Sequence, residues 1–560
     1  MVQTAETKTG PYRRRIAKLR EDNAQYRLHY QEIVENMLPR NGRYLVSDED
    51  DIPSAGKRKD SKIINGVASD ALRTVAAGLQ GGLTSPARPW FNLTIQDKDL
   101  KEFGPVKAWL ADVRDILLMI LKRSNFYSAM HGLYKELAAF GTAAMLIEED
   151  FTTGLRCRPF TIGEFMLDVD STYRPNALFR QFSMSARQMI QKFGEKNVTE
   201  AVRSAMAANN GGNRFEVYHA IAPNEELDPS KADFRGMRFQ SSYFEVKSGD
   251  EEKFLKVAGY RGRPFIAMRW EVKGVNANGD CPGMEALGDV KMLQKMEVDK
   301  LQILDKKNKP PMNAPVAMRA KGGTIIAGGV NYIDVQQGQQ GFTPAYQVDI
   351  NLTDLAFEMD RVEKRIKRFF YNDLFLMVAT ETPGQKTAYE IAKKYEEKMM
   401  MLGPVLESVQ EAQDDVIDRA YAIGEGLGIL PPPPRELVGQ DIKVEYIGVF
   451  AQAQKAIGNA PVAETAQFVL GVAPIKPDVM DKFDFDQAVD EIANGNGCPP
   501  RCVVPDDEVA KKRKDRADQQ QKMAAAAQMA AATDMAKKAS ETKMGTGSML
   551  DAAKEKMGLS

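Results

Sequence analysis

The 560-residue chain is too long for one hydrophobic core and calls for several domains. Its 43% hydrophobic and 27% charged residues are those of a globular protein, and 76 basic against 77 acidic residues leave a formal charge of −1, which excludes a surface that grips nucleic acid all over. No apolar run approaches the ~18 residues of a membrane span, the N-terminus carries no apolar leader, and four scattered cysteines cannot staple such a chain, so a reducing compartment and no membrane are expected.

Taken in order, residues 12–40 read as one helix, with Ile16, Leu19, Tyr26, Tyr30, Ile33, Val34 and Met37 on one side. Arg13, Arg14, Arg15, Lys18 and Arg20 near its start read as a solvated basic face rather than a nucleic-acid contact. Residues 47–60 read as an exposed loop, and from Ser61 the spacing of Ile64, Val67, Ala68, Ala71, Val75 and Leu79 predicts a helix. It closes on Gly81-Gly82 and a shaped corner, Leu83-Thr84-Ser85-Pro86-Ala87-Arg88-Pro89-Trp90-Phe91. Those glycines are no phosphate loop, since no Gly-Lys-Ser/Thr follows. Residues 105–140 predict two helices, and Gly141-Thr142-Ala143-Ala144-Met145-Leu146-Ile147 switches to a strand period. Further strands are predicted over 156–160, 165–169, 215–221, 242–246 and 264–270, which makes this part α+β, a helical lobe joined to a sheet.

Residues 283–307 predict a long helix with Leu287, Val290, Leu293, Leu301 and Leu304 on one stripe, and 312–350 have strand and turn character. A second long helix follows, on which Leu352, Leu355, Met359, Val362, Ile366 and Phe369 form a stripe; over 352–378 it would span roughly 40 Å. Its other faces are charged, with Arg361, Lys364, Arg365, Lys367 and Arg368 prominent. Pro383-Gly384 then breaks the chain, and Thr387 with Glu390 forms a capping box for the next helix, which Gly403-Pro404 should kink. One more strand is expected over 444–450, then helices over 462–472, 485–493 and from Asp506, the last rich in Ala, Gln, Lys and Met.

Nothing in this chain reads as an active site. His29, His131 and His219 lie on different elements, none in a nucleophile motif. Cys498-Pro499-Pro500-Arg501-Cys502 has the wrong spacing for a zinc half-site, and the acidic runs at 48–51 and 148–150 could hold a divalent cation but read equally well as charged loop tips, so no enzyme activity, metal or cofactor is expected.

The string Ser85-Pro86-Ala87-Arg88-Pro89-Trp90-Phe91 closely resembles the head-to-tail connector, or portal, proteins of short-tailed bacteriophages. So do Ser124-Asn125-Phe126-Tyr127, Phe140-Gly141-Thr142-Ala143-Ala144, Arg269-Trp270-Glu271, and Pro282-Gly283-Met284 with Ala286-Leu287, in family order over most of the chain. One departure is 276–281, where the family usually has Tyr-Gly-Xaa-Gly. The resemblance implies the portal fold: wing over 1–282, first stem helix 283–307, clip 308–351, second stem helix 352–378, tunnel loop 379–387, wing again over 388–451, crown helices 452–541 and a flexible tail 542–560. It further implies a homo-oligomeric ring of about twelve at one capsid vertex of the virion, made in the bacterial host cytoplasm. Helices about 10 Å across, about twelve side by side, leave a bore of roughly 25–30 Å, wide enough for double-stranded DNA. Implied partners are that DNA, the terminase packaging motor, a tail adaptor protein, and major capsid and scaffold proteins. Thr380, Glu381, Gln385 and Lys386 would point into the bore. The stem cations Arg361, Lys364, Arg365, Lys367 and Arg368 would either meet DNA or, as a passage must not hold its cargo, pair with carboxylates of the neighbouring subunit. A non-enzymatic internal scaffold or core protein is the alternative, though it has no need of a strand-rich insert between two struts.

Overall fold

The computed structural model describes residues 9–42, 44–45, 62–97, 100, 103–247, 253–313, 343–344, 351–380, 388–437, 439–495, 502–504, 506–541, 543–544 and 547–548. Two compact units emerge: Met1–Asn92, Val113–Pro431 and Tyr446–Gly458 form the first, and Leu93–Asp112, Pro432–Glu445 and Asn459–Ser560 the second.

The first unit opens with α1 (Gly10–Asp22) and α2 (Ala24–Asn36), where the sequence predicts a single helix. The break falls at Asn23, whose side-chain Nδ2 (2.8 Å) and backbone N–H (3.0 Å) both donate to the Leu19 carbonyl. The basic start of α1 is not a free face either. Arg13, Arg15 and Arg20 lie over the rings of Phe244, Phe179 and Tyr218, and Arg15 pairs with Asp168 at 2.5 Å. α3 (Val67–Leu83) begins later than the stripe suggests, and β1 (Phe91–Ile95) follows the Pro-rich corner. α4 (Gly104–Arg123) and α5 (Phe126–Phe140) are the two predicted helices, α5 with ten buried residues.

Strands β2 (Thr142–Asp150) and β3 (Gly154–Phe160) form a hairpin that pairs with β9 (Phe265–Arg269) in the order β3-β2-β9. The second sheet is an antiparallel meander of β4 (Phe165–Val169), β5 (Pro175–Ser185), β6 (Arg214–Pro223), β7 (Phe239–Glu245) and β8 (Lys256–Tyr260). Helices α6 (Ala186–Phe193) and α7 (Glu200–Ala207) stand between β5 and β6. One face of this sheet packs Phe179, Tyr218 and Phe244 against Ile16 and Leu19 of α1. The other packs Phe182, Val217 and Tyr243 against Met189 and Phe193 of α6 and Val202 of α7. β5, β8, α6 and α7 were not expected from the sequence. In β5 the cause is Arg180, a cation only 5% exposed on a core face, which erases the apolar alternation.

α8 (Pro282–Asn308) and α9 (Leu352–Phe369) are the two struts. The second is shorter than predicted. Tyr371 adopts φ 51°, its N–H donates to Arg368 O at 3.0 Å, and a separate α10 (Asn372–Thr380) follows. Phe370 is fully buried and Tyr371 stacks on Trp270 (6.4 Å between centroids), so packing holds the chain in a conformation unusual for an aromatic residue. Between the struts only β10 (Met312–Asn313) and β11 (Thr343–Pro344), an antiparallel pair, belong to the described residues. α11 (Ala388–Gly426) runs as one helix through Gly403 and Pro404. In the second unit β12 (Ile442–Tyr446) pairs with β1, α12 (Val449–Val472) contains Pro461, and Asp486 of α13 (Phe485–Gly495) takes both Nη atoms of Arg513 (2.5 and 2.7 Å) from α14 (Asp506–Glu541). Cys157 and Cys281 are buried free thiols, both pushed up to about 12 by burial, and Cys498 lies outside the described residues.

Candidate functional site

Three strings that are far apart in sequence meet at one corner of the first unit. α5 ends on Gly141, whose φ of 73° suits glycine and whose carbonyl accepts from Trp270 N at 2.9 Å. Thr142 Oγ1 accepts from Gly279 N at 3.0 Å. The first turn of α8 then lies so close to α5 that a Cβ on Gly283 would run into the Ala139 carbonyl. The turn at 272–279 is closed by a bridge between Glu271 and Asp280, with Lys273 pairing to Asp280 at 2.8 Å. Phe140–Ala144, Arg269–Glu271 and Pro282–Met284 are therefore one packed joint.

The Pro-rich corner is an exposed turn leading into two anchors. Ser85 is half-buried and Pro86, Arg88 and Pro89 are exposed, whereas Trp90 and Phe91 are fully buried. Trp90 stacks between Phe126 (6.2 Å, 11° between planes) and Tyr446 (6.4 Å, 13°), and its carbonyl accepts from Ile447 N at 3.0 Å. The Tyr446 hydroxyl donates to Asp414 Oδ1 of α11 at 2.5 Å, and burial raises the Asp414 carboxyl above its usual range. Trp90 thereby touches α5 through Phe126 and, by way of Tyr446 and Asp414, reaches α11.

The strut pair is fastened by amides. Asn65 Oδ1 accepts from Val67 N (2.9 Å) at the start of α3, and its Nδ2 donates to Glu297 of α8 (3.2 Å) and Glu363 of α9 (3.0 Å). Gln294 of α8, 7% exposed, accepts from Ile64 N (2.8 Å) and Asn65 N (2.9 Å) and returns a bond to Asn65 O (2.8 Å). α9 lies against α8 and buries Met359, Val362 and Ile366. Sequence reading passed over this node, although Asn65-Gly66 ahead of an apolar helical run is a capping signal.

Charges on α9 are mostly answered within the chain. Arg365 makes a two-pronged bond to Asp289 of α8 (3.0 and 2.9 Å), Arg361 pairs with Glu358 (2.8 Å) and Lys364 with Asp360 (2.6 Å). Lys367 and Arg368 are exposed with no ion pair among the described residues. Thr380 is the last residue of α10, and Glu381, Gln385 and Lys386 lie outside the described residues. His131 Nδ1 bonds Gln80 at 2.9 Å, His219 is buried and held well below its usual range by that burial, and no cluster of metal-ligating side chains occurs among the described residues.

The geometry is thus a buried joint of ordered strings beside two paired helices with a charged outer face. The profile of the family described as "Bacteriophage head to tail connecting protein" matches residues 10–504. The chain belongs to this head-to-tail connector, or portal, family. It is 40% identical over 507 residues, 90% of each chain, to the "Probable portal protein" of Bordetella phage BPP-1. To the "Portal protein" of Salmonella phage epsilon15 it is 37% identical over 550 residues, 98% of each chain. Portal proteins are structural components of the phage virion that connect head to tail. No helix among the described residues is long and apolar enough to cross a membrane.

Proposed function

We propose that about twelve copies close into a ring at one capsid vertex, that double-stranded DNA is driven in and later leaves through its bore, and that the terminase motor and then the tail adaptor dock on it. Full-length membership of the portal family supports this reading, and one observation on α8 and α9 carries it. The apolar stripe of α8 buries Leu287, Val290 and Leu293 within the chain, yet Leu301 (51% exposed) and Leu304 (40%) continue it beyond that cover, with Phe357 of α9 (62%) exposed as well. Apolar side chains in a row need a neighbour, and in a ring the neighbour is the next copy.

In this arrangement α8 and α9 with α10 are the stem, 308–351 the clip that meets motor and adaptor, the sheets and α11 the wing, and α12 to α14 the crown. Major capsid and scaffold proteins surround the wing. Arg361, Lys364 and Arg365 already have partners in their own chain, so of these five cations Lys367 and Arg368 are left for carboxylates of the adjacent copy. Thr380, Glu381, Gln385 and Lys386 restrain DNA in the bore.

Native mass spectrometry with negative-stain class averages of the full chain, alone and with scaffold, tests the ring. A closed assembly of about twelve with a central hole is expected, and a monomer that persists with scaffold present would overturn it. Deletion of 381–387 should leave rings intact and reduce packaged DNA; loss of rings would refute the loop's placement.

A further inference from the structure

The five-stranded sheet carries a polar rung that the proposed channel does not use. Register sets Arg180 of β5, His219 of β6 and Tyr243 of β7 side by side. His219 stacks on Tyr243 (3.9 Å between centroids, 8°) and shares a hydrogen bond with Ser241 Oγ at 2.9 Å. The Arg180 guanidinium is held between the rings of Phe160 (4.5 Å) and Phe182 (3.9 Å). Its Nη2 pairs with Glu164 at 2.5 Å, but Nε and Nη1 are buried without a partner. Buried charged donors left unmet are rare in folded proteins and call for an explanation.

Arg180 lines a concavity of about 550 Å³, together with Arg158 of β3 and Gln188, Gln191 and Lys192 of α6. Lys192 Nζ lies 4.3 Å from the centre of the Tyr243 ring and donates to its hydroxyl at 3.2 Å; burial first, then the nearby Arg158, hold its ammonium down at about 8. Arg158 pairs with Glu148 at 2.8 Å. Arg214, at the rim, donates to Ser183 Oγ (2.9 Å) and to the Ser183 carbonyl (2.8 Å). Arg158 and Arg180 thus each pair with one carboxylate, Glu148 and Glu164, while Lys192 makes no ion pair among the described residues.

We propose that this concavity is an oxyanion site for a phosphate-class ligand, either inorganic phosphate or the terminal phosphate of a small molecule, seated against an unpartnered donor of Arg180. One oxygen of a tetrahedral anion takes a free guanidinium N–H, and the others reach toward Lys192 and the amides of Gln188 and Gln191. A carboxylate has only two oxygens to share among them. A duplex backbone is too broad to reach a floor where Arg180 is 5% exposed.

The test is phosphorus-31 line broadening and calorimetric titration of the full chain with sodium phosphate, repeated in sodium chloride at equal ionic strength. One phosphate per subunit and a higher melting temperature in phosphate are expected. R180Q removes a buried ion pair and can unfold the sheet, so Gln191→Glu, an exposed change that sets a carboxylate on the wall, carries the argument. It should bind phosphate at least about tenfold more weakly while melting as the parent does in chloride. Titration with adenosine monophosphate separates the two sources: tighter binding than phosphate indicates a terminal phosphate, and weaker binding the free ion. Equal behaviour in phosphate and chloride, or unchanged binding by Q191E, would overturn the proposal. Binding of a short single-stranded oligonucleotide with no response to inorganic phosphate would overturn it too, and would make the site one for nucleic acid.

Discussion

Charged residues serve opposite ends in the five-stranded sheet and on the strut pair. In the sheet Arg180 and Glu164 are 6% and 9% exposed at their side chains, so each depends on the other for solvation. On the struts Arg365 pairs with Asp289, but the arginine side chain is 54% exposed and water stands ready to replace its partner. The same pairing is therefore an architectural element in one region and a nearly neutral surface feature in the other.

Removing one partner of each pair gives the sharpest contrast. Glu164→Ala should destabilise the chain by about 3–5 kcal/mol in urea denaturation because Arg180 is left buried and uncompensated. A loss below about 1 kcal/mol would mean that water or an anion already solvates Arg180. Between the extremes, Gln294→Ala strips the acceptor from Ile64 N and Asn65 N and should cost about 1–3 kcal/mol by the same measurement.

A third experiment uses pH. Glu136 accepts from Asn41 Nδ2 (2.9 Å) and Ile162 N (3.0 Å), and burial above all raises its carboxyl to about 8. The folded carboxyl keeps its proton to higher pH than the unfolded one, so its contribution is most favourable below the ordinary glutamate value of 4.5 and falls as pH rises to about 8. Glu136→Gln should flatten the decline of melting temperature across that window; an unchanged slope would place the titrating group elsewhere. The smallest effect is expected from Arg365→Ala, about 0–1 kcal/mol, with rings still formed. A larger loss would show that the exposed pair also closes the subunit interface.

Much of the helical frame was legible because it rests on local periodicity. The stripe of Met359, Val362 and Ile366 predicted α9, and the three are buried. Where prediction failed, a long-range contact had overridden a local signal. The sequence around β5 hides its strand because Arg180 stands where an apolar residue is expected, and Phe182 of the same strand with Phe160 of β3 and Glu164 just ahead of β4 makes that tolerable. The split at Asn23 is the exception: its side chain bonds back to Leu19, four residues earlier, where apolar spacing alone would continue the helix.

By itself the sequence determined the α+β class, the two struts around a strand-bearing insert, and, through ordered short strings, the portal family. Each of these is written in neighbouring residues, as a period, a break or a motif. Tertiary structure alone decided that Gly141, Trp270 and Gly283 form one joint, that Asn65 and Gln294 clip three helices together, and that α9 stops at Tyr371. Those outcomes depend on which backbone groups and rings meet across hundreds of residues, and no local pattern encodes a partner that far away.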